Sequence, residues 1–286
     1  MKKVLYLSYT GMTDPLGQSQ VLAYLKRLSQ MGQYQFTVIS FEKQEAYNRL
    51  HTAIEEFCKA SGICWYPLSY TAKPPVLSTF RDVSRMRELA MRLARNQQYS
   101  IIHCRSYIAS LVGLQVKKRI GIPFLFDMRG FWADERIDGA IWNKSNPVFN
   151  FIYKFFKRKE KQFLQMADQV VSLTYNAKME IESWNLQPSP APITVIPCCA
   201  DFESFDPLKI SEEQKRKAIE SIGIPQDAVI FSYLGTLGTW YMIDEMMAFA
   251  REFQKKNPGS YFMVLTGEPE SLVKDAAKKA GYDDRF

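Results

Sequence analysis

Short apolar segments alternate with amphipathic ones along almost the whole chain, and this rhythm limits the fold more than any single motif. Residues 4–9, 36–41, 63–68, 100–104, 124–127, 169–173 and 193–197 read as strands. Residues 18–31, 43–60, 78–96, 107–120, 148–167 and 176–184 read as helices. In the first helix Val21, Leu22, Leu25 and Leu28 recur at helical spacing, and Phe80, Val83, Met86, Leu89 and Leu93 form the apolar face of 78–96. Gly121 and Pro123 end one helix, and Pro147 opens the next. Residues 69–75, with Pro74-Pro75, and the proline-rich 188–192 read as loops. Strict β/α alternation implies an α/β fold with a parallel sheet covered by helices. Residues 1–205 suffice for one complete doubly wound domain.

The rhythm then breaks at the irregular stretch 201–209. A charged helix follows at 211–222, with Ser211 and Gln214 spaced as a capping box. Strands at 229–234 and 261–265 and helices at 241–256 and 271–280 make only two further βα units. Parallel sheets are covered on both faces, so 206–286 is expected to be an incomplete second domain or one that needs a partner.

Composition closes off several classes. The chain has 286 residues, 47% hydrophobic and 23% charged, which is ordinary for a globular protein. No apolar run reaches the roughly 18 residues of a membrane span. The opening Met1-Lys2-Lys3 and the short apolar run behind it are too brief for a signal peptide and read as the first strand. Five cysteines, Cys58, Cys64, Cys104, Cys198 and Cys199, are odd in number and lack CxxC spacing. That favours a reducing cytoplasm over a disulfide frame or zinc site. His51 and His103 are the only histidines, so no metal site is expected. The formal charge of +7 fits either ordinary solubility or an anionic partner such as a nucleotide, a phosphoprenyl lipid or a membrane surface. No nucleic-acid motif is present, so no nucleic-acid partner is expected.

Three strand-to-helix turns carry candidate chemistry. After the first strand, Gly11, Gly17 and Gln18 sit in a linking loop, where glycine lets backbone approach phosphate and a helix start attracts anions. It lacks GxGxxG and reads otherwise as a plain connection. In the 101–107 segment, His103 is either a proton shuttle or a packed strand residue. Alternation puts it on one face with Arg105 and puts Cys104 opposite. Arg105 lies nearer the carboxyl end, where open α/β sheets bind ligands, and suits phosphate. The strand 124–127 empties into a loop holding Asp127, Arg129, Gly130, Phe131, Trp132, Asp134, Glu135 and Arg136. It reads as a site loop, since Phe131 and Trp132 are odd tips for an idle one, or as a solvated loop with surface ion pairs. In the second half, Gly235, Thr236, Gly238 and Thr239 offer amide and hydroxyl donors to an anion. The helix over 148–161 mixes aromatic with basic residues. It suits an anionic bilayer or, equally, a core helix with a basic face.

In order, these pieces resemble glycosyltransferase family 4, retaining enzymes of GT-B architecture. The resemblance runs through the Gly17 turn, IIHCRS at 101–106, FLFDMRGFWADER at 124–136 and KRKEKQFLQMADQVVSLT at 157–174. It continues through residues 193–197 followed by CCADFESFDP, and YLGTLGTWYMIDEMM at 233–247. It implies two Rossmann-like lobes about a cleft: an amino-terminal acceptor lobe, 1–205, and a donor lobe beginning at 206. It implies a nucleotide-diphosphate sugar as substrate with no cofactor or metal, and a glycan or polyprenyl-linked acceptor. The implied role is surface polysaccharide or glycoconjugate synthesis on the inner membrane face. Gly17's loop would stand near the diphosphate, held from the other lobe by Gly235 and Thr236, Arg105 would meet the sugar or diphosphate, and Gln18 and Ser106 would bind substrate. Arg105, Asp127 and Glu135 would be catalytic, with Asp127 or Glu135 taking a proton, and Asp127, Arg129, Asp134 and Glu135 would orient acceptor hydroxyls, Arg129 and Asp134 as substrate-binding residues. A nucleotide-sugar 2-epimerase and a non-catalytic glycan- or nucleotide-binding subunit share the two-lobe plan. The chain departs from the family in three places. Arg105 stands where many relatives carry the second His of a His-x-His pair. Thr236 stands at an Arg-like position. The family's glutamate–seven residues–glutamate motif would fall past Phe286, so the chain as given is expected to transfer little or no sugar.

Overall fold

The computed structural model describes residues 1–74, 76–202, 205–238 and 240–282. Pro75, Thr239 and positions 203–204 of the irregular stretch lie outside the described residues. The chain divides into two compact units, Met1–Cys198 and Cys199–Phe286.

In the first unit the strands are β1 (Lys2–Ser8), β2 (Tyr34–Glu42), β3 (Cys64–Ser69), β4 (Ile101–Arg105), β5 (Phe124–Met128), β6 (Gln169–Ser172) and β7 (Ile193–Val195). They form one seven-stranded sheet in the order β3-β2-β1-β4-β5-β6-β7, parallel throughout. The chain builds outward from β1 to β3, then returns to the other side of β1. The strand order therefore reverses between β1 and β4, which opens a crevice beyond their carboxyl ends. Register sets Ser8 beside Arg105, and Arg105 beside Asp127, at that edge.

Alternation along the strands explains the two cores. Leu5, Leu7, Ile39, Phe41, Ile102 and Cys104 point to one face, and Val4, Tyr6, Phe36 and Val38 to the other. Helices α1 (Pro15–Gly17), α2 (Ala23–Gln30), α3 (Gln44–Ala60), α4 (Leu77–Asn96), α5 (Ser106–Ile120), α6 (Trp132–Asp138), α7 (Pro147–Met166) and α8 (Tyr175–Ser183) link the strands. Leu25 of α2 and Ile54 and Cys58 of α3 cover the second face; Met86, Val112, Phe163 and Ile181 of α4, α5, α7 and α8 cover the first. Helices on both faces make this half doubly wound.

Two expected loops are corrected. The connection after β1 is already helical at Pro15, because a proline at the first helical position is preset for the helix and Asp14 before it is extended. A π-helical turn, Gln18–Leu22, then leads into α2. The charged stretch after β5 also folds into helix from Trp132, with Asp134 and Glu135 in its first turn, where negative charge favours a helix. Phe131 and Trp132 are not loop tips. Trp132 packs on Phe156 at 4.8 Å, Trp142 at 5.2 Å and Tyr107 at 5.8 Å between ring centroids, and Phe131 on Trp184 at 5.8 Å. Core packing accounts for these aromatics.

Gly17 is buried inside the first helical segment. A Cβ there would lie 1.9 Å from the Gly11 carbonyl oxygen. The close approach that requires glycine is to the protein's own backbone.

In the second unit, β8 (Ile230–Leu234) and β9 (Tyr261–Leu265) pair in parallel. Helices α9 (Glu212–Ser221), α10 (Ile243–Lys256) and α11 (Glu270–Ala280) accompany them. The Ser211–Gln214 capping box is formed. Met247, Ala250, Phe262, Val273 and Ala277 make a separate core.

Gly17→Ala is expected to destabilise the chain by about 1–3 kcal/mol, the range for forcing atoms into packed space. Gly32→Asn is the control. Gly32 has φ +72 and open space around it, and asparagine visits that conformation more readily than most other side-chain-bearing residues. Urea unfolding reads both, and equal midpoints would contradict the contact at Gly11.

Candidate active site

The carboxyl edge of β4 and β5 gathers charge around one carboxylate. Asp127, at the penultimate position of β5, is 4% exposed. Its Oδ2 lies 3.3 Å from His103 Nε2 and 3.9 Å from Arg105 Nη1, and its Oδ1 lies 3.6 Å from Arg129 Nη1. Two guanidiniums and an imidazole thus surround a single acid. Burial pushes the Asp127 carboxyl up. The hydrogen bond and charge of His103, with Arg129 and Arg105, outweigh burial and hold it below its ordinary value. Asp127 is therefore ionised at neutral pH. The two full cations leave the cluster with an excess of positive charge.

His103 and Arg105 share a face, as alternation requires, and Cys104 lies opposite in the core. The His103 ring packs on Tyr6 at 4.4 Å. Burial first, and the Asp127 charge second, push the Tyr6 hydroxyl pKa up. His103 is thus a packed strand residue that also carries a polar contact to the cluster.

Gln20 joins this cluster and was not singled out from the sequence. Its Oε1 accepts from Arg105 Nη2 at 3.1 Å and from Arg129 Nη2 at 3.0 Å. Arg129 Nη2 also lies 3.2 Å from Cys198 Sγ. Asp127 Oδ1 and Arg105 Nη1 are buried and make no hydrogen bond among the described residues. Buried polar atoms are rarely left so.

Glu42, at the end of β2, is the other missed residue. It is 2% exposed. Its carboxylate accepts from Met12 N and Thr13 N at 2.9 Å each, from Thr13 Oγ1 at 2.6 Å and from Ser40 Oγ at 2.5 Å. The amides of the glycine-containing turn after β1 are thereby satisfied by the protein's own acid. Gln18 donates to the Thr13 carbonyl at 3.2 Å, within the same turn. Ser106 opens α5 with φ 64, and its carbonyl accepts from Ser110 Oγ.

Asp134 and Glu135 belong to a neighbouring network. Asp134 accepts from Tyr153 and Lys157 at 2.8 Å each. Lys157 also pairs with fully buried Glu160, which accepts from Tyr107. Both oxygens of Asp134 are thus engaged inside the protein. Glu135 is exposed; what burial it has raises its carboxyl pKa, with Arg136 opposing and Asp134 and Asp138 adding. Gly130 has φ +149, a conformation that side-chain-bearing residues rarely adopt, and a Cβ there would also displace the end of the Glu135 side chain.

In the second unit, Gly235 and Thr236 line an open depression at the carboxyl ends of β8 and β9, with Leu234, Leu265, Thr266 and Gly267. The Gly235 amide donates to the Leu265 carbonyl, and Tyr233 Oη to the Thr236 carbonyl. Among the described residues no group of three His, Cys, Asp or Glu side chains is placed to hold a metal ion.

Residues 17–204 match the pattern of Glycosyltransferase Family 4. The chain belongs to glycosyltransferase family 4. Its fold is of the GT-B type shared by that family. A curated relative, D-inositol 3-phosphate glycosyltransferase 2 of Catenulispora acidiphila, is 22% identical over 160 residues, which is 56% of this chain and 35% of that protein. The chain thus spans about a third of that relative's length. Among solved structures, sucrose-phosphate synthase from Thermosynechococcus elongatus superposes with a TM-score of 0.69 at 13% identity, over 100% of this chain and 69% of that one. Anabaena HepE in complex with UDP and glucose gives 0.65 at 12% identity, over 100% and 68%.

For this family 4 chain, Asp127→Asn is expected to cost about 3–5 kcal/mol at neutral pH, because it removes the acid from buried cations. The sign with pH follows from the depressed pKa. The contribution is complete above the ordinary value of 3.8 and is lost as pH falls from there through the folded-state pKa. Urea unfolding of parent and variant should show a gap that closes only in that acid range. A gap independent of pH would contradict the assignment.

Proposed function

We propose that the protein is a glycosyltransferase that moves a sugar from a nucleotide-diphosphate donor to a glycan or lipid-linked acceptor, with retention and without a metal. The observation that carries this reading is the Asp127 cluster. Arg105 and Arg129 outnumber their acid, and Arg105 Nη1 has hydrogen-bonding capacity to spare. Negative charge grows on the leaving diphosphate as the glycosidic bond to it breaks. Guanidiniums fixed beforehand stabilise that charge without reorganising. Arginine also matches phosphate in a planar, two-pronged way that lysine does not. The UDP and glucose held by the Anabaena relative support a nucleotide-sugar donor. Glu135, whose carboxyl pKa is raised, is the carboxyl proposed to carry a proton.

The proposed setting is surface polysaccharide or glycoconjugate synthesis at the inner face of the cell membrane. Among the described residues no helix is long and apolar enough to cross a membrane. Helix α7 nevertheless exposes Val148 and Phe151 beside exposed Lys154 and Arg158. Aromatic and basic groups together favour an anionic bilayer surface.

Two measurements test the reading. In the full-length parent protein, with UDP- and GDP-sugars and a polyprenyl-phosphate-linked acceptor, Arg105→Ala is expected to lower transfer at least roughly tenfold, the scale of one lost transition-state donor. A chelator should leave the parent rate unchanged. An unaltered rate in the variant removes Arg105 from the site, and 2-epimerisation without acceptor use would favour an epimerase instead. In co-sedimentation with anionic vesicles, Phe151→Ser should weaken binding; equal pelleting of both proteins removes α7 from the membrane contact.

A further inference from the structure

Arg105 and Arg129 leave different strands, yet their Nη2 atoms converge on one oxygen, Gln20 Oε1. Like charges held this close repel each other. The shared acceptor offsets part of that repulsion and fixes both guanidiniums in orientation. It does so without removing charge, because an amide oxygen is neutral. A carboxylate would make the same two contacts more strongly. It would also cancel the positive excess that Asp127 leaves behind. The local backbone is unusual at the same place. Gln20 is the middle residue of the π-helical turn Gln18–Leu22. A π turn inserts an extra residue into the helical repeat and re-aims the side chains around it, and such turns recur at functional sites. Here Val21 and Leu22 are buried in the core while Gln20, half-buried, reaches the arginines.

We propose that Gln20 is a positioning residue that pairs Arg105 with Arg129 as a two-guanidinium receptor for a phosphate-bearing ligand. Its lack of charge keeps that receptor positive. The identity of the ligand, a nucleoside diphosphate, rests on the glycosyltransferase reading above. Asp127, Cys198 and Tyr6 are other ionisable groups that meet the pair, with His103 behind Asp127, and none is replaced in the test.

Titration calorimetry of the full chain with UDP, GDP and inorganic pyrophosphate, beside thermal melts, separates the possibilities. Gln20→Glu is expected to melt at or above the parent temperature, since both hydrogen bonds gain charge. Its affinity for all three probes is expected to fall at least roughly tenfold, and the remaining binding should depend less on salt. A purely structural role predicts the same melting behaviour with affinity kept. Undiminished affinity in Gln20→Glu overturns the pairing role while the glycosyltransferase reading stands. A parent chain that binds none of the three probes overturns the pairing role, and the glycosyltransferase reading is then decided by the transfer assay above. Should Gln20→Glu fail to fold, Gln20→Met decides. It removes the acceptor at similar volume, and its affinity should fall several-fold; parent-like affinity overturns the proposal.

Discussion

The ion cluster on Asp127 depends on a charge that the fold buries at an edge. A carboxylate taken out of water is costly unless it is paired. Asp127 is paired three ways, and its partners come from the adjacent strand β4 and the segment following β5. The parallel register makes this possible, because Arg105 and Asp127 are direct neighbours across β4 and β5. The reversal of strand order beside β4 keeps this edge free of a crossing connection. The charge constellation thus follows from topology first and from side-chain chemistry second.

Two buried glutamates stabilise the turns around this edge in similar ways. Glu42 satisfies the amides and hydroxyl of the turn after β1. Glu160 accepts from Tyr107, whose hydroxyl also lies 3.3 Å from the Gly130 carbonyl in the turn after β5. Lys157 shares its charge between Glu160 and Asp134 and sits 4.9 Å from the Trp184 ring. Burial pushes the Glu160 carboxyl up, with Lys157 and Tyr107 opposing it. Turns with internal acids hold one shape because their polar groups have partners whether or not a ligand is present.

The sequence made the strands, their parallel pairing and the trio Arg105, Asp127 and Arg129 legible. Each of those readings needs only local rules: apolar runs, two-residue alternation, and the preference of ligands for strand ends. Gln20 and Glu42 escaped because their roles are long-range. Gln20 meets residues 85 and 109 positions away, and Glu42 meets amides 29 and 30 positions away. No local period points to either. Phe131 and Trp132 misled for a related reason. Aromatic residues beside charges suggest a binding loop, but α7 lies close enough to bury them. Asp134 reads as a free acid until Tyr153 and Lys157 are seen to occupy it.

Glu42 also changes how an anion could be received. In many α/β folds the amides after the first strand cradle phosphate. Here the Met12 and Thr13 amides already face a carboxylate. A phosphate brought to those amides would meet that negative charge at close range and would be repelled. The turn after β1 therefore contributes shape and, through Gln20, orientation. The donors that remain for an anion are side chains, chiefly the two guanidiniums. Such a receptor reads phosphate oxygens and their charge, and it carries no information about a base or a sugar. Selectivity among donors must then come from residues that touch those other parts of the ligand, whereas the Asp127 cluster sets how strongly the charged part is held.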